Sequence, residues 1–384
     1  MTRTRALEFV LLAMLFGCPQ PARSNPLDPI RTVFLIMMEN ESWSDIVGNT
    51  NAPYINSVLL PMASHCEQYY DLPGAKYLWY EAGTNFGIAS TDSPFTNNCQ
   101  TPEQVQTTTN HLTTYLYNAG ISWKAYLEDS PTNIIELAGY NHYVVRHNPF
   151  AFFTDITGTN ITTYCTSAFP YGVQHLRPYT EFAADLASNT VARYNFIVPN
   201  LCDDMHDVCA PLTNRMLQGD TWLSSEIPRI LNSSAYQHGG AVFITWDESS
   251  TGTLPIGMLV LSPFAKGGGY ASTVYYTPLS TLRSMQEIFH VGPWLGAAGD
   301  ATDLGDLFRQ LEISQITLGP GPSVQLGITG VTPGVTNVVQ ASTDLSHWTN
   351  LSTNSVTSDS FSFTDYPTNE FSRFYRVVEW QSGP

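Results

Sequence analysis

Four short apolar runs constrain the fold more than any other feature of this sequence. Each is rich in β-branched or aromatic residues and stops at a polar residue or a proline, which is typical of a strand buried on both faces of a sheet. The runs cover Arg31–Met38, Tyr194–Val198, Ala241–Trp246 and Gly257–Leu261.

Stretches with helical spacing of apolar residues separate these runs. We predict helices over Pro102–Ala119, Tyr179–Ala187, Trp222–Leu231 and Leu279–Phe289. Buried strands that alternate with helices indicate an α/β fold, with a mostly parallel sheet flanked by helices. In such sheets functional residues lie just beyond the carboxyl ends of the strands.

The pattern changes near residue 313, which divides the chain into a domain over residues 25–312 and a module over residues 313–384. The glycines and prolines of Leu318–Pro322 predict a linker. Beyond it, apolar residues alternate with small or polar ones at Val324, Leu326, Ile328, Phe361 and Phe363. This alternation predicts a small antiparallel β domain at the C-terminus.

The N-terminus has the features of a secretory signal peptide over residues 1–24. Two arginines precede an apolar run over residues 6–17 that is too short to span a bilayer comfortably. Cleavage at the small-residue site Ala22–Ser24 is preferred to a lipoprotein box ending at Cys18, because Phe16 is bulky for such a box. No later stretch predicts a transmembrane helix, so we expect a secreted or periplasmic protein, with lipid anchoring at Cys18 as the alternative.

The charge balance limits the partners. Asp and Glu number 33 against 16 Lys and Arg, which gives a formal net charge of −17. So acidic a surface repels phosphate backbones, and nucleic-acid binding is not expected. An anionic substrate would need a local cation, such as a metal ion, to reverse the field.

Five cysteines follow the predicted leader: Cys66, Cys99, Cys165, Cys202 and Cys209. Cys202 and Cys209 flank a short polar loop and are the preferred disulfide pair, since export permits disulfides. A zinc site is the competing interpretation, although the chain has no Cys-x-x-Cys pair. The pairing of the other three cysteines stays open.

Oxygen-bearing side chains follow two of the predicted strands. Glu39-Asn40 comes directly after the first run, and Asp247-Glu248 comes directly after Ala241–Trp246. Adjacent carboxylates repel each other unless a cation lies between them, and carboxylate and amide oxygens suit a hard metal ion. Because neighbouring parallel strands bring their ends together, we expect Glu39, Asn40, Asp247 and Glu248 to hold one divalent metal ion, with oxygens within about 5 Å of each other.

A polar loop follows the strand Tyr194–Val198. It carries Asn200, His206 and Asp207. His206 with Asp207 could bind metal or protonate a leaving group. His147 is a further candidate, although a lone histidine is more often structural, and His65, His111, His142 and His175 are interpreted as structural residues.

Several co-linear segments resemble the phosphoesterase family of bacteria and fungi. That family includes secreted acid phosphatases and phospholipases C, and is related to the alkaline phosphatase superfamily. The resemblance spans roughly residues 30–310 and rests on Glu39–Gly48 (the family's ENxSF…G opening), Gly120–Asp129, His147–Phe150, Pro199–Asp207, Thr245–Glu248 and Leu261–Phe264. The tail, at Gln340–Trp348 and Arg373–Arg376, is similar to a β-module appended to many secreted bacterial proteins.

The resemblance implies an alkaline-phosphatase-like fold and a metal-assisted phosphoester hydrolase acting on a phosphorylated small molecule or lipid. Glu39, Asn40, Asp247 and Glu248 match the family's metal ligands by position. His206, Asp207 and His147 would act as catalytic residues, and Asn200 and His147 would contact the substrate. In the family a Ser or Thr hydroxyl attacks phosphorus, and the metal ion lowers the pKa of that hydroxyl.

The sequence departs from the family where the nucleophile is expected. Acid phosphatases of the family carry His-Pro-Ser-x-Pro-Asn-Tyr ahead of a Leu-Trp-x-Glu-Ala-Gly stretch. Here Tyr70–Tyr77 precedes Leu78–Gly83, looks shortened and has no hydroxyl other than tyrosine. The substitutes are Thr84, Ser90, Thr91 or a metal-bound water.

Two functions therefore stay open. The first is an acid-phosphatase-like enzyme, and the second is a catalytically impaired relative that binds metal or phosphorylated ligands, with the β-module contacting a surface or polymer. A sulfatase is disfavoured, because no Cys-x-Pro-x-Arg stretch exists to form a formylglycine.

Overall fold

The computed structural model describes residues 25–89, 94–95, 104–367 and 372–380. Four residues singled out from the sequence lie outside the described residues, as does the predicted signal segment: Cys18, Ser90, Thr91 and Cys99.

Within the described residues, the strands and helices alternate through the first three quarters of the chain, and strands alone follow. The strands are β1 Thr32–Met38, β2 Ser64–Cys66, β3 Trp123–Leu127, β4 Ile135–Glu136, β5 Gly139–Tyr140, β6 Tyr143–Val144, β7 Thr166–Ser167, β8 Leu176–Pro178, β9 Tyr194–Val198, β10 Gly240–Trp246, β11 Met258–Leu261, β12 Tyr270–Ser272, β13 Glu312–Leu318, β14 Val324–Thr329, β15 Thr336–Ser342, β16 Thr349–Ser355, β17 Ser360–Asp365 and β18 Phe374–Trp380. The α-helices are α1 Trp43–Ile46, α2 Leu60–Met62, α3 Leu78–Ala82, α4 Leu112–Asn118, α5 Thr154–Thr157, α6 Pro170–His175, α7 Phe182–Ser188, α8 Arg215–Leu231, α9 Ser234–Gln237 and α10 Pro278–Phe289.

The main sheet has eight strands in the order β12-β2-β11-β10-β1-β9-β3-β8. All neighbours are parallel except at β11, which pairs antiparallel with both β10 and β2. The four strands predicted from apolar runs are its centre, and β1, β9, β10 and β11 are almost wholly buried. The mostly parallel α/β sheet flanked by helices is therefore confirmed.

The helix predictions succeed where apolar spacing is regular. The predictions over Trp222–Leu231 and Leu279–Phe289 correspond to α8 and α10, and Asn214 caps α8 by accepting a hydrogen bond from the amide of Leu217. Tyr179–Ala187 divides into a 3-10 turn and α7. None of the described helices is long and apolar enough to cross a bilayer.

The helix predicted over Pro102–Ala119 is wrong over most of its described length. Only α4 is helical, and residues 104–111 run as an irregular strand-like segment. The amide of Gln106 donates to the carbonyl of Phe152 at 2.7 Å, and Gln106 pairs with Phe153 as a parallel bridge. Tertiary pairing, together with the β-branched run at residues 107–109, outweighs the helical spacing.

A buried polar cluster fixes α3 against α4 and α5. His111 is fully buried and lies 2.8 Å from Glu81 through Nδ1 and 3.0 Å from Asp155 through Nε2. Glu81 on α3 also accepts hydrogen bonds from the amide and hydroxyl of Thr113. Because α3 follows Tyr77 directly, this cluster fixes the segment that precedes the helix.

The C-terminal module consists of two three-stranded antiparallel sheets, β13-β14-β17 and β16-β15-β18. Leu326, Ile328, Val331 and Val339 form its own small apolar core. The linker predicted over Leu318–Pro322 is wrong, because this segment is the turn between the paired strands β13 and β14, closed by the amide of Gly319 donating to Ser323.

We predict that His111 stabilises the fold in its protonated form. Burial lowers its pKa, but hydrogen bonds to Asp155 and Glu81 outweigh this and raise the pKa to about 9. The stabilisation is therefore complete below the unfolded value of 6.5 and is lost as the pH rises through about 9. The substitution His111→Gln should cost on the order of 3 kcal/mol at about pH 6 and much less at about pH 9.5, measured by urea unfolding.

The exposed His238 provides the control, since His238→Gln should show no such pH-dependent difference from the wild type. A loss in His111→Gln that is the same at both pH values would show that the histidine acts by packing alone.

Candidate active site

The pairing of β1 with β10 brings the two predicted acidic pairs together. Their register places Met38 opposite Trp246, so Glu39 and Asp247 are the next residues at the carboxyl ends of adjacent parallel strands. The amide of Asp247 donates to the carbonyl of Met38 at 3.0 Å. The amide of Asn40 in turn donates to Oδ1 of Asp247 at 3.2 Å, which is reached because Asn40 adopts a φ of 45°, a conformation that asparagine tolerates.

Glu39 is a buried carboxylate with partners on both sides. The hydroxyl of Tyr77 donates to its Oε1 at 2.5 Å, and Nε2 of His147 lies 3.0 Å from the same oxygen. Burial raises the pKa of Glu39 to about 7, although the Tyr77 hydrogen bond and the charges of His206 and Arg146 oppose this. Both contacts use Oε1.

Asp247 is also buried, and its two hydrogen bonds again use one oxygen. Oδ1 accepts from the amides of Asn40 and Glu248, the latter at 2.6 Å. Burial raises the pKa of Asp247 well above its usual range, and the charge of Glu39 raises it further. Ionising two neighbouring buried carboxyl groups is energetically costly, and a bound cation would offset that cost.

Two further oxygens at the site have no hydrogen-bond partner among the described residues. They are Oδ1 of Asn40 and Oδ2 of Asp204, and both are buried. Ligand atoms of Glu39, His147 and Asp204 also lie within 4.8 Å of one another. Buried polar atoms are almost always satisfied in proteins, so these unpaired oxygens and close ligand atoms fit a metal ion.

The loop after β9 carries the imidazole and the third buried acid. Cys202 and Cys209 are disulfide-bonded, as predicted, and this excludes the zinc alternative at these cysteines. The side-chain oxygen of Asn200 accepts from the amides of Cys202 and Asp203 and so closes the turn instead of lining the cavity. Outside this loop, Cys165 is also disulfide-bonded, and Cys66 is free and buried.

Asp204 and Asp207 orient the two histidines of the site. Oδ1 of Asp204 accepts from the amide of His206 at 2.8 Å, and its Oδ2 lies 3.6 Å from Nδ1 of His147. Nδ1 of His206 lies 2.7 Å from Oδ1 of Asp207, which is itself about half exposed. Asp207 therefore positions His206 from outside the cavity.

His147 is held between aromatic and acidic neighbours. Its ring stacks on Tyr77, with centroids 5.1 Å apart and planes 12° from parallel. Burial lowers the pKa of His147 to about 3, with the charge of Arg146 acting in the same direction. His147 is therefore neutral at the site and can offer a lone pair.

These side chains surround a cavity of about 400 Å³ at the carboxyl ends of β1 and β10. Its lining is Glu39, Asn40, Gly74, Lys76, Tyr77, Ala89, Arg146, His147, His206, Asp247 and Glu248. The structure thus brings the four predicted metal ligands, His147 and His206 to one cavity, while Asn200 and Asp207 lie behind it.

The hydroxyls proposed as nucleophiles are placed differently. Thr84 does not line the cavity, and its Oγ1 accepts from the amide of Phe86. Ala89, the last described residue before Ser90 and Thr91, does line it. Among the described lining residues, Tyr77 carries the one hydroxyl.

A larger cavity of about 790 Å³ lies at the amino ends of the central strands, where Arg31 precedes β1 and Arg193 precedes β9. Thr332 and Glu379 of the C-terminal module complete its wall. It contains none of the predicted site residues.

The sequence model of the phosphoesterase family matches residues 66–292, more than half of the chain. The chain belongs to the phosphoesterase family. Together with relatives named as phosphatases, this membership makes it a phosphoric ester hydrolase.

The relatives of this phosphoesterase are bacterial and fungal. A phosphatidylinositol-3-phosphatase of Mycobacterium tuberculosis is 26% identical over 72% of this chain and 82% of its own length. An acid phosphatase of Aspergillus fumigatus is 24% identical over 60% of this chain and 49% of its own length. A phosphate-repressible acid phosphatase of Penicillium chrysogenum is 27% identical over 43% and 38% respectively, so the chain spans half or less of these fungal relatives.

Solved structures resemble the phosphoesterase loosely. The lipoteichoic acid synthase LtaP of Listeria monocytogenes gives a TM-score of 0.44 at 10% identity, over 78% of this chain and 82% of that one. A phosphonate monoester hydrolase of Silicibacter pomeroyi gives 0.42 at 9% identity, over 78% and 79%.

Four side chains of the phosphoesterase site were not selected from its sequence: Lys76, Tyr77, Arg146 and Asp204. Asp204 lies in the acidic loop that was recognised, but nothing in the sequence distinguishes it from Asp203 and Asp207. Tyr77 and Lys76 belong to the shortened segment, where only the absence of serine drew attention. Their roles depend on which way the loop turns, which the sequence pattern does not specify.

We predict that the disulfide holds the histidine loop. Replacing both Cys202 and Cys209 with serine should lower the free energy of unfolding by about 2 kcal/mol, because the closed loop is short. Hydrogen exchange should accelerate at the amides of His206, Asp207 and Cys209, which are hydrogen-bonded within or beside the loop, while amides in α10 keep their rates. Unchanged exchange in the loop would show that its other contacts suffice.

Proposed function

We propose that this phosphoesterase is a secreted, metal-dependent, acid-phosphatase-like enzyme that hydrolyses phosphate esters of small molecules or lipids. One observation carries the proposal. Buried carboxyl groups from the ends of two parallel strands meet beside an unpaired amide oxygen, in a cavity that two histidines also line.

The buried carboxyl groups and the unpaired oxygen of Asn40 suggest which residues would bind the metal ion. Glu39, Asn40 and Asp247 would hold the ion, with Asp204 and His147 close enough to complete its coordination and Glu248 at the rim. A divalent ion bound here would neutralise phosphoryl oxygens and lower the pKa of a nucleophilic hydroxyl or water. It would also offset the acidity of a chain with a net charge of −17.

His206 is suited to handle the proton of the leaving group. Oδ1 of Asp207 lies 2.7 Å from Nδ1 of His206 and orients the ring, which leaves Nε2 for the cavity. As the bond between phosphorus and the ester oxygen breaks, His206 would donate a proton to that oxygen, and the released product is an alcohol. Arg146 adds a positive charge at the same cavity for the phosphoryl group.

Either the hydroxyl of Ser90 or Thr91 or a water molecule would be the nucleophile. Ser90 and Thr91 lie outside the described residues, and their candidacy rests on the sequence of the segment. The hydroxyl of Tyr77 is a poor candidate, because burial raises the pKa of Tyr77 well above its usual range and its proton is committed to Glu39.

Secretion is supported by the cysteine chemistry. Cys202–Cys209 and Cys165 are disulfide-bonded, and disulfides persist mainly in oxidising compartments outside the cytosol. Together with the predicted signal peptide, this favours a secreted or periplasmic location.

The function is tested by a hydrolysis panel on the purified protein, with Mg²⁺, Ca²⁺, Mn²⁺ or Zn²⁺ after chelation, on mono- and diesters across pH. We expect one metal to restore turnover. Glu39→Gln and Asp247→Asn should each lower kcat/KM at least about a hundredfold and abolish the metal-induced rise in Tm. Glu181→Gln, which weakens a partly buried ion pair with Arg177 outside the cavity lining, is the control and should change neither. Metal-independent turnover, or full activity in the Glu39 and Asp247 variants, would contradict the proposal.

A second function is favoured by the cavity's lack of a free hydroxyl among the described residues. The protein could then bind metal and phosphorylated ligands without turnover. Acid quenching with a radiolabelled ester separates the cases: Ser90→Ala or Thr91→Ala should abolish a trapped phosphoenzyme while the metal-induced Tm shift remains. Turnover that survives both substitutions identifies water as the nucleophile, and metal binding without turnover in the wild type identifies the second function.

A further inference from the structure

We propose that the ammonium group of Lys76 is a built-in second cation of the active site, so that the enzyme takes one metal ion and uses Lys76 to bind the phosphoryl group. The inference rests on the proposed function and names a residue for it that the sequence pattern did not select.

Two carboxylates converge on the ammonium group. Nζ of Lys76 donates a hydrogen bond to Oδ2 of Asp71 and lies 3.4 Å from Oε2 of Glu248. Divalent metal ions are commonly bound by oxygens of two or more carboxylates. Here the ammonium group of Lys76 lies between two carboxylates and takes the place of such an ion. Glu248 is thereby engaged by Lys76 in the lining of the cavity.

Lys76 lines the cavity in which the proposed substrate would bind. Nζ forms ion pairs with the carboxylates of both Asp71 and Glu248, which is the arrangement of a protonated lysine. A protonated amine has no lone pair, so Lys76 cannot itself attack phosphorus. It has three donors, and since two face Asp71 and Glu248, the third is available to a phosphoryl oxygen in the cavity that Lys76 lines.

The shortened segment explains how the lysine reaches this place. Lys76 and Tyr77 are consecutive, and they contact Glu248 and Glu39 respectively, one residue from each strand-end pair. The α3 helix that follows is fixed by the buried Glu81–His111 contact. The segment before α3 therefore places the ammonium group of Lys76 beside Glu248 and the hydroxyl of Tyr77 beside Glu39.

The test measures metal stoichiometry and phosphate affinity on the purified full-length protein. Elemental analysis after gel filtration in the activating metal should give one equivalent for the wild type. With the metal bound, calorimetric titration of inorganic phosphate should show at least about a tenfold weaker Kd for Lys76→Met and a smaller loss for Lys76→Arg, which keeps the charge. KM should rise in parallel.

Lys124→Met is the matched control, because Lys124 also forms a half-buried carboxylate pair, with Asp185 at 2.5 Å, but does not line the cavity. It should leave metal stoichiometry and phosphate affinity unchanged. Two metal equivalents in the wild type, or an unchanged phosphate Kd in Lys76→Met, would overturn the inference. Absence of metal binding in the wild type would instead overturn the proposed function, so the two failures are distinguishable.

Discussion

The site depends on the parallel, in-register pairing of β1 with β10. Seven residue pairs run from Thr32 opposite Gly240 to Met38 opposite Trp246, and both strands are buried along nearly their whole length. A shift of one residue would turn every side chain to the other face of the sheet. Close packing of the buried side chains on both faces opposes that shift, and it thereby holds Glu39 and Asp247 side by side at the strand ends.

The burial of three carboxyl groups at the site makes their ionisation unfavourable. Glu39, Asp204 and Asp247 are all buried, and burial raises the pKa of each. Without a cation they would hold protons, and a metal ion would replace those protons at the same oxygens. The raised pKa values of these three carboxyl groups therefore follow from their burial, and the surrounding hydrogen bonds keep their geometry.

Around this core, each connecting segment contributes one kind of chemistry. The loop after β9, closed by its disulfide, supplies the imidazole of His206 and the buried carboxyl of Asp204. The segment before α3 supplies Lys76 and Tyr77, and the 3-10 turn at Val145–His147 supplies Arg146 and His147. The strand ends provide the proposed metal ligands, and the loops provide the groups that would contact the substrate.

The sequence by itself determined the central strands, the two acidic pairs that follow them and the disulfide, because each is a local pattern. A strand buried on both faces must be apolar, and the polar residues after it mark its end. A short loop between two cysteines brings them close enough to pair. Only the tertiary structure decided that Gln106 pairs with Phe153 and that residues 104–111 form no helix. It alone also decided that Leu318–Pro322 is a hairpin turn. Glycine and proline serve turns and linkers alike, so composition could not separate the two. Tertiary structure likewise decided the roles of Asp204, Tyr77 and Lys76. Each role depends on which carboxylate or imidazole from a distant part of the sequence the side chain contacts, and the packing of the loops on the sheet determines those contacts.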